Sequence, residues 1–317
     1  MALIKPMLAA KPKQKPGERL DDVIERVIDS LTYPVLGSPK LDGIRCTVQG
    51  GKLYSRSLKL IPNKSMQKRW GRKELNGLDG EIVVGPETAP DVFQRTTSCV
   101  MSAKADDAEE ALAKFRVFDD LELRRYDFSL RFYGLEKRAL AEGIVIVAHK
   151  LIQNAAVMRA FEQQHLHQGY EGVMSRALGG EYKQGRSTLN EEWLVALKRF
   201  VDAEGVIVSV YEQKTNTNAA YIDERGNTKR SSAKAGKVGK DTLGGFEVRL
   251  LDDKGKPTET VHRVGTGVGL TTERRLALWA QRKALVGKIV KFKYQAVGTK
   301  VAPREPIFLG FRDKGDM

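Results

Sequence analysis

Cysteine is nearly absent from this sequence. Of 317 residues only Cys46 and Cys99 are cysteines, too few for a disulfide framework. Both fall in strand-like text and are expected to be buried thiols in a reducing compartment. Four histidines beside two cysteines leave no set of ligands for a structural zinc. No run of about 18 apolar residues occurs, which excludes a helical membrane span. The opening MALIKPMLAAKPKQKPGERL carries lysines throughout and does not read as a secretory signal. Internal repeats are missing too. What the chain has in excess is positive charge: 54 Lys and Arg against 40 Asp and Glu, a net of +14. Such a surplus fits a partner that is a polyanion, although a solvated lysine-rich surface gives the same balance.

The length suits two domains, and the text changes character near residue 201. Before it, helical and strand-like stretches mix. DDVIERVIDSL sets Val23, Ile24, Val27 and Ile28 on one helical face. YPVLGSPK, IRCTVQ, KLYSRS and GEIVVG read as strands broken by glycine. ADDAEEALAKF reads as a helix entering the strand RVFDDL, and SLRFYGLEKRALAEG as a helix before a strand IVIVAHKLI. Residues 154–168 make a further helix, with Gly169 as its C-cap. This is α+β text without strict βαβ alternation. After residue 201 come five short strands, GVIVSVYEQ, GGFEVRLLD, TVHRVG, GKIVKFKYQAV and PIFLGFRD, with one helix, TTERRLALWAQRKALVG. That inventory predicts a small closed barrel of the OB type over 201–317, following a first domain over 1–200. The barrel part carries +8 and the first 200 residues +6, so both are basic. The stretch 214–240 holds seven basic and two acidic side chains with few apolar ones. It is expected to be an exposed loop or hairpin that meets nucleic acid.

Chemistry concentrates in Lys40-Leu41-Asp42-Gly43-Ile44-Arg45, set between two strand-like segments. A lysine with an ordinary pKa near ~10.4 is a poor nucleophile at neutral pH. Desolvation or a neighbouring cation can lower that value and free the amine for attack on phosphorus. Arg45 is near enough in sequence to supply such a cation, and Gly43 permits a tight turn. Read alone, the six residues also suit an ordinary charged turn.

They do not stand alone. Ser55-Arg56, Leu78-Asp79-Gly80-Glu81, Phe118-Asp119, Glu171-Gly172-Val173-Met174, Leu197-Lys198 and Phe311-Arg312-Asp313-Lys314 follow in order. With this set, nearly the whole chain resembles the covalent nucleotidyltransferases, and among them the compact, bacteriophage-type ATP-dependent DNA ligases. The resemblance implies a nucleotidyltransferase (adenylation) domain followed by an OB-fold domain. It further implies that Lys40 is the nucleophile that carries AMP, with ATP as cosubstrate. Ser38, Arg45, Arg56 and Glu81 are then nucleotide-binding, Phe118 stacks on adenine, and Arg176, Arg186 and Lys198 hold phosphates. Glu171, with Glu81, is implied to bind Mg²⁺, or Mn²⁺ in its place. From pattern alone Phe118, flanked by Phe115, Val117 and Leu121, reads as core. Arg304, Arg312, Asp313 and Lys314 resemble the last family motif, which attends the adenylation step on a barrel that then swings toward DNA about a hinge near 200–202. The partner implied is nicked duplex DNA met by a monomer, in bacterial cytosol or that of a phage-infected host, in DNA repair, replication or recombination.

Two positions depart from the family pattern. Ala196 stands where a first lysine usually precedes Lys198. Ser38 occupies the place, two before the nucleophile, where an acidic residue often reads the adenine amino group; a hydroxyl does so more weakly, yet ATP is expected to be preferred over GTP. A complete barrel and the terminal Arg-Asp-Lys argue against most RNA ligases, and the text around Lys198 against capping guanylyltransferases. An NAD-dependent ligase needs a further N-terminal domain, and 39 residues precede Lys40. A degenerate, purely DNA-binding relative is disfavoured by the intact lysine and carboxylates. Other signals carry less. His165 and His167, two apart on a helix, point in different directions. The glycines of 265–269 lack P-loop spacing, and Thr271 or Thr272 is expected to cap the next helix. Trp70, Trp193 and Trp279 are read as core.

Overall fold

The computed structural model describes residues 3–12, 18, 20–222, 228–231, 233–252, 255–267, 270–295 and 303–312. They fall into two compact units, the first running to Arg199 and the second beginning at Phe200. Strands of the first unit are β1 (Met7–Leu8), β2 (Val35–Pro39), β3 (Ile44–Gln49), β4 (Lys52–Ser55), β5 (Leu78–Val84), β6 (Ala113–Asp120), β7 (Ile144–Ile146), β8 (Lys150–Ile152), β9 (Gly172–Ala177), β10 (Gly185–Arg186) and β11 (Val195–Lys198). Its helices are α1 (Leu20–Ser30), α2 (Lys64–Trp70), α3 (Val92–Val100), α4 (Asp107–Ala111), α5 (Phe128–Glu136) and α6 (Ala155–His167).

Two sheets organise this unit. One has the order β4-β3-β5-β6-β7 and the other β11-β9-β2-β8. Alternation along each strand explains both cores. Cys46 and Val48 of β3, Leu78, Ile82 and Val84 of β5, and Phe115 and Val117 of β6 turn to one side and pack with Trp70. Val35, Val173, Val195 and Leu197 of the other sheet pack with Ile24, Val27 and Ile28 of α1 and Met158 and Phe161 of α6. The residues between them in sequence therefore face the opposite way: Arg45, Glu81, Arg116 and Phe118 from one sheet, and Ser38, Met174, Arg176, Ala196 and Lys198 from the other.

Helix α1 forms where its apolar stripe predicts. Helix α6 starts at Asn154, whose side chain accepts the N–H of Val157, and it stops before Gly169 at φ +91°. Its Glu162 is buried and receives Arg199, which also reaches Glu25 of α1 at 2.5 Å. That ion cluster ties the end of β11 to both helices.

Several expectations need correction. IVIVAHKLI is not one strand: β7 joins β6 and β8 joins β2, so the chain crosses between sheets at Val147–His149. Cys99 is buried and free, as is Cys46, but it lies in helix α3. Helices α2 and α3 were not anticipated. The first buries Met66 and Trp70, one turn apart, behind an Asn63 cap, a pattern too short to register as periodic. The expected helix 129–143 ends at Glu136 and that of 105–115 at Ala111. In each case the remaining residues serve a turn or the neighbouring strand.

The second unit comprises β12 (Val201–Asn216), β13 (Ala220–Ile222), β14 (Thr228–Arg230), β15 (Lys237–Leu251), β16 (Pro257–Gly265), α7 (Thr272–Ala280), β17 (Ile289–Gln295) and β18 (Arg304–Arg312). Strands β12-β15-β16-β18-β17 close a barrel around Phe246, Val248, Phe292 and Phe308. The expected OB architecture is present, with β12, β15 and β16 longer and β17 shorter than foreseen. Thr271 caps α7 by accepting the N–H of Arg274. Beyond the barrel, β12 and β15 continue as a ladder through Asn216↔Lys237, and β13 pairs β14 beyond that. The described residues of the basic stretch thus include two paired strands beyond the barrel ladder. Trp70 is fully buried, while Trp193 and Trp279 pack against cores with part of each ring open. His167 is exposed, and His165 packs its ring 4.2 Å from that of Phe161. Among the described residues no helix is long and apolar enough to cross a membrane.

Candidate active site

Lys40 sits just past the end of β2, and its N–H donates to the carbonyl of Gly172 at 2.9 Å. This bond ties the lysine to the first residue of β9, so that Glu171 lies directly beside it. The Lys40 ammonium is 2.5 Å from Oε2 of Glu171. The other carboxylate oxygen accepts from Lys198 Nζ at 3.1 Å. Glu171 is 5% exposed, so one buried carboxylate is shared by two ammonium groups.

The electrostatics reverse one expectation. Burial pulls the Lys40 pKa down, but the carboxylates of Glu171 and then Glu81 outweigh it and hold the amine above its ordinary value. Arg45 does not act as the activating cation. Its Nε and Nη2 donate to Oδ1 and Oδ2 of Asp79 at 2.6 and 2.7 Å, so its charge is already matched. Burial opposes that charge, and Asp79 more than compensates. Burial also raises Glu171, but Lys40 and Lys198 outweigh it and hold its carboxyl below the usual range. Glu81 behaves oppositely: burial pushes its carboxyl up, only partly offset by Lys40 and Arg45.

Glu81 lies inside β5. There it stands opposite Arg45 on β3 and Arg116 on β6, a row of alternating charge across three strands. Its carboxylate accepts the N–H of Gly43 at 3.3 Å. Gly43 itself is required by contact, because a Cβ there would lie 2.3 Å from the carbonyl oxygen of Ile82.

Phe118 is half-buried on the same face as Glu81, opposite to Phe115 and Val117. Its ring carries the guanidinium of Arg45 at 4.5 Å and that of Arg176 at 5.1 Å from its centre, contacts that favour cations over an aromatic face. It also borders an apolar cluster with Leu41, Val83, Val92, Val147 and Tyr170. The core reading of Phe118 is therefore only half right.

The other predicted cations divide. Arg176 is 3% exposed and donates to Asp119 Oδ2 at 3.1 Å; burial, against the pull of Asp119, lowers its pKa to about 10. Arg186 is exposed and donates to the Ala9 carbonyl at 2.5 Å. Arg56 is exposed on the turn after β4. Ser38 is buried in the row Ser38–Met174–Ala196 that runs across β2, β9 and β11. Ala196 is buried on the same face as Lys198, where a lysine side chain would enter the site. In the second unit Arg312 pairs with Glu204 at 2.9 Å. Asp313 and Lys314 lie outside the described residues, as does the side chain of Arg304.

Sequence reasoning passed over the groups that hold these side chains. Asp79 and Asp119, both fully buried, stood inside quoted motifs without a role. Arg131 was read as part of an ordinary helix; it is buried and donates to Asp119 Oδ1 at 2.8 Å and to the carbonyls of Tyr126 and Gly180. Tyr182 bonds Asp79. Arg116 pairs with Glu87, which also accepts from the hydroxyl of Tyr170 at 2.9 Å. Only Arg116, two before Phe118 in an alternating strand, was legible as a site-facing residue.

Residues 6–195 match the ATP dependent DNA ligase domain family and residues 236–312 the DNA ligase OB-like domain family. Among solved structures, the Chlorella virus DNA ligase-adenylate is 29% identical, with 99% of each chain covered and a TM-score of 0.51. A structure from the Lig E DNA ligases is 22% identical over 98% of this chain and 100% of its own, with a TM-score of 0.68, and is similar in fold. No curated protein sequence matches.

Proposed function

The chain belongs to the family of ATP-dependent DNA ligases, and from that premise we propose that it seals 5′-phosphate/3′-hydroxyl nicks in duplex DNA with AMP carried on Lys40. The observation that carries the assignment of Lys40 is its placement: one lysine, fixed by its own main chain to Gly172 and paired with the buried Glu171. An ammonium has no lone pair, so attack on the α-phosphorus of ATP requires loss of a proton. Glu171 is the acceptor already in contact. The phosphoramidate forms as pyrophosphate leaves, AMP then passes to the 5′-phosphate at the nick, and the 3′-hydroxyl displaces it. Lys198 and, once shifted from Asp119, Arg176 would steady phosphate oxygens along this path.

A divalent cation fits the carboxylates present. Glu81 is a desolvated carboxyl whose neighbouring charges only partly offset its burial, and Glu171 offers a second carboxylate across Lys40. Mg²⁺ commonly takes one or two carboxylates and completes its shell with phosphate and water, so no cluster of three ligating side chains is needed, and none occurs among the described residues. When bound, the ion would be held by Glu81 with Glu171 and would neutralise phosphate charge.

Ser38, Arg45 and Phe118 are proposed to form the nucleotide pocket with Glu81, Phe118 stacking on the base. Arg56 and Arg186 are assigned to the same nucleotide by resemblance. The barrel residues Arg304, Arg312, Asp313 and Lys314 attend adenylation, and the hairpin 214–240 holds DNA through its phosphates. The protein is proposed to work as a monomer in the cytosol, in DNA repair, replication or recombination.

Joining of a 5′-phosphorylated nick with ATP and Mg²⁺ tests the reading. Wild type should seal, and Lys40→Ala should neither seal nor take up labelled AMP. Sealing that survives Lys40→Ala would remove the lysine from the mechanism.

A further inference from the structure

Tyr182 lies outside every motif, between β9 and β10, and is 8% exposed. Its hydroxyl oxygen accepts the N–H of Met7 at 3.1 Å and donates to Oδ2 of Asp79 at 2.7 Å. Asp79 takes both forks of Arg45, and Arg45 Nη2 returns to the carbonyl of Met7 at 3.3 Å. Met7, Tyr182, Asp79 and Arg45 thus close a ring of hydrogen bonds, and its guanidinium lies 4.5 Å from the centre of Phe118.

We propose that Tyr182 is a positioning residue for nucleotide binding, which by closing this ring fixes Arg45 beside Phe118. The inference rests on the reading that Arg45 and Phe118 meet ATP. A carboxylate held by one arginine still turns about its terminal torsion, which is broad and soft. The third donor, from Tyr182, pins Oδ2 in the plane that Arg45 needs. The ring of Tyr182 is itself held, with the guanidinium of Arg131 5.5 Å from its centre. Burial and then the charge of Asp79 push the phenol pKa well above its usual value, so the hydroxyl keeps its proton and remains a donor. The N-terminal strand takes part through main-chain atoms alone. Its register is set by pairing with β10 and by Gln49, which bonds both the N–H and the carbonyl of Ile4.

Tyr182→Phe keeps the ring and deletes the hydroxyl. The ATP concentration for half-maximal enzyme-adenylate formation should rise about three- to tenfold, the net scale of one ordinary hydrogen bond. The maximal rate should stay within about twofold of wild type. Arg45→Lys should raise half-saturation as well, since one ammonium cannot replace a fork. In the Arg45→Lys background Tyr182→Phe should add nothing, because the two act in series. A fall in melting temperature with half-saturation unchanged, or full additivity of the two substitutions, would overturn the proposal. If Arg45→Lys leaves half-saturation where it was, the nucleotide role of Arg45 fails, and the inference falls with its premise rather than on its own account.

Discussion

Lys40 and Glu171 form an ion pair of 2.5 Å, and Lys198 holds the other oxygen of the same carboxylate at 3.1 Å. The free protein therefore stores its nucleophile as an ammonium, and Glu171 controls the proton. Glu171→Gln keeps shape but cannot take that proton. Transfer of labelled AMP to the protein should fall by about a hundredfold or more, the scale of a general base. Adenylation at the wild-type rate would show that another group removes the proton.

Asp119 is buried between Arg131 and Arg176. Asp119→Ala leaves two guanidinium groups without their partner in an apolar surround. A loss of about 3–5 kcal/mol in unfolding free energy is expected, read by urea denaturation. The position adjoins Phe118, so loss of activity alone would not separate the two roles. A stability within about 0.5 kcal/mol of wild type would show that water or another group compensates both arginines.

His149 stands where the chain crosses between sheets. Its Nδ1 lies 2.9 Å from the Val147 carbonyl, and its ring packs against those of Phe128 and Phe132. Burial, then Arg176, lowers its pKa to about 3. The unfolded chain binds this proton near pH ~6.5, so between those values the unfolded state holds more protons. Stability from this side chain is complete above that range and is lost as pH falls, at up to about 1.4 kcal/mol per pH unit. His149→Gln should flatten the acid limb of a stability–pH curve between roughly 6.5 and 3. An unchanged slope would mean that the imidazole is hydrated in the folded protein.

The barrel ladder ends at Asn216, and beyond it β13 and β14 pair only with each other and add nothing to the described barrel core. Replacing residues 217–235 by a short turn should spare AMP uptake and weaken binding to a nicked duplex. The plot of log affinity against log salt should become shallower by about 0.9 for each phosphate contact removed. Equal nick affinity in the shortened protein would take the hairpin out of the interface.

How much of this was legible beforehand depended on how local each feature is. Helix α1 and the barrel strands follow from apolar periodicity, which a short window of text carries. Helix α2 and the break in IVIVAHKLI do not, because a single-turn contact and a change of sheet leave no period. Lys40, Glu81 and Glu171 could be named from motifs, since the residue types and their order are written in the chain. Their protonation could not. Arg45 is five residues from Lys40 and looked like its activating cation; Asp79, which neutralises it, is brought there only by the pairing of β3 with β5. The charge on Lys40 is likewise set by Glu171, carried there on the strand that pairs with β2.

The sequence by itself determined the two-part α+β and barrel architecture, the basic surface and the residue types of the site. Those are properties of composition, periodicity and order. Tertiary structure alone decided which charges are matched, which face Phe118 presents, and that Tyr182 and the Met7 main chain complete the ring around Arg45. Coulombic and hydrogen-bond energies depend on distance and desolvation, and residues separated by tens or hundreds of positions acquire those only when the sheets assemble.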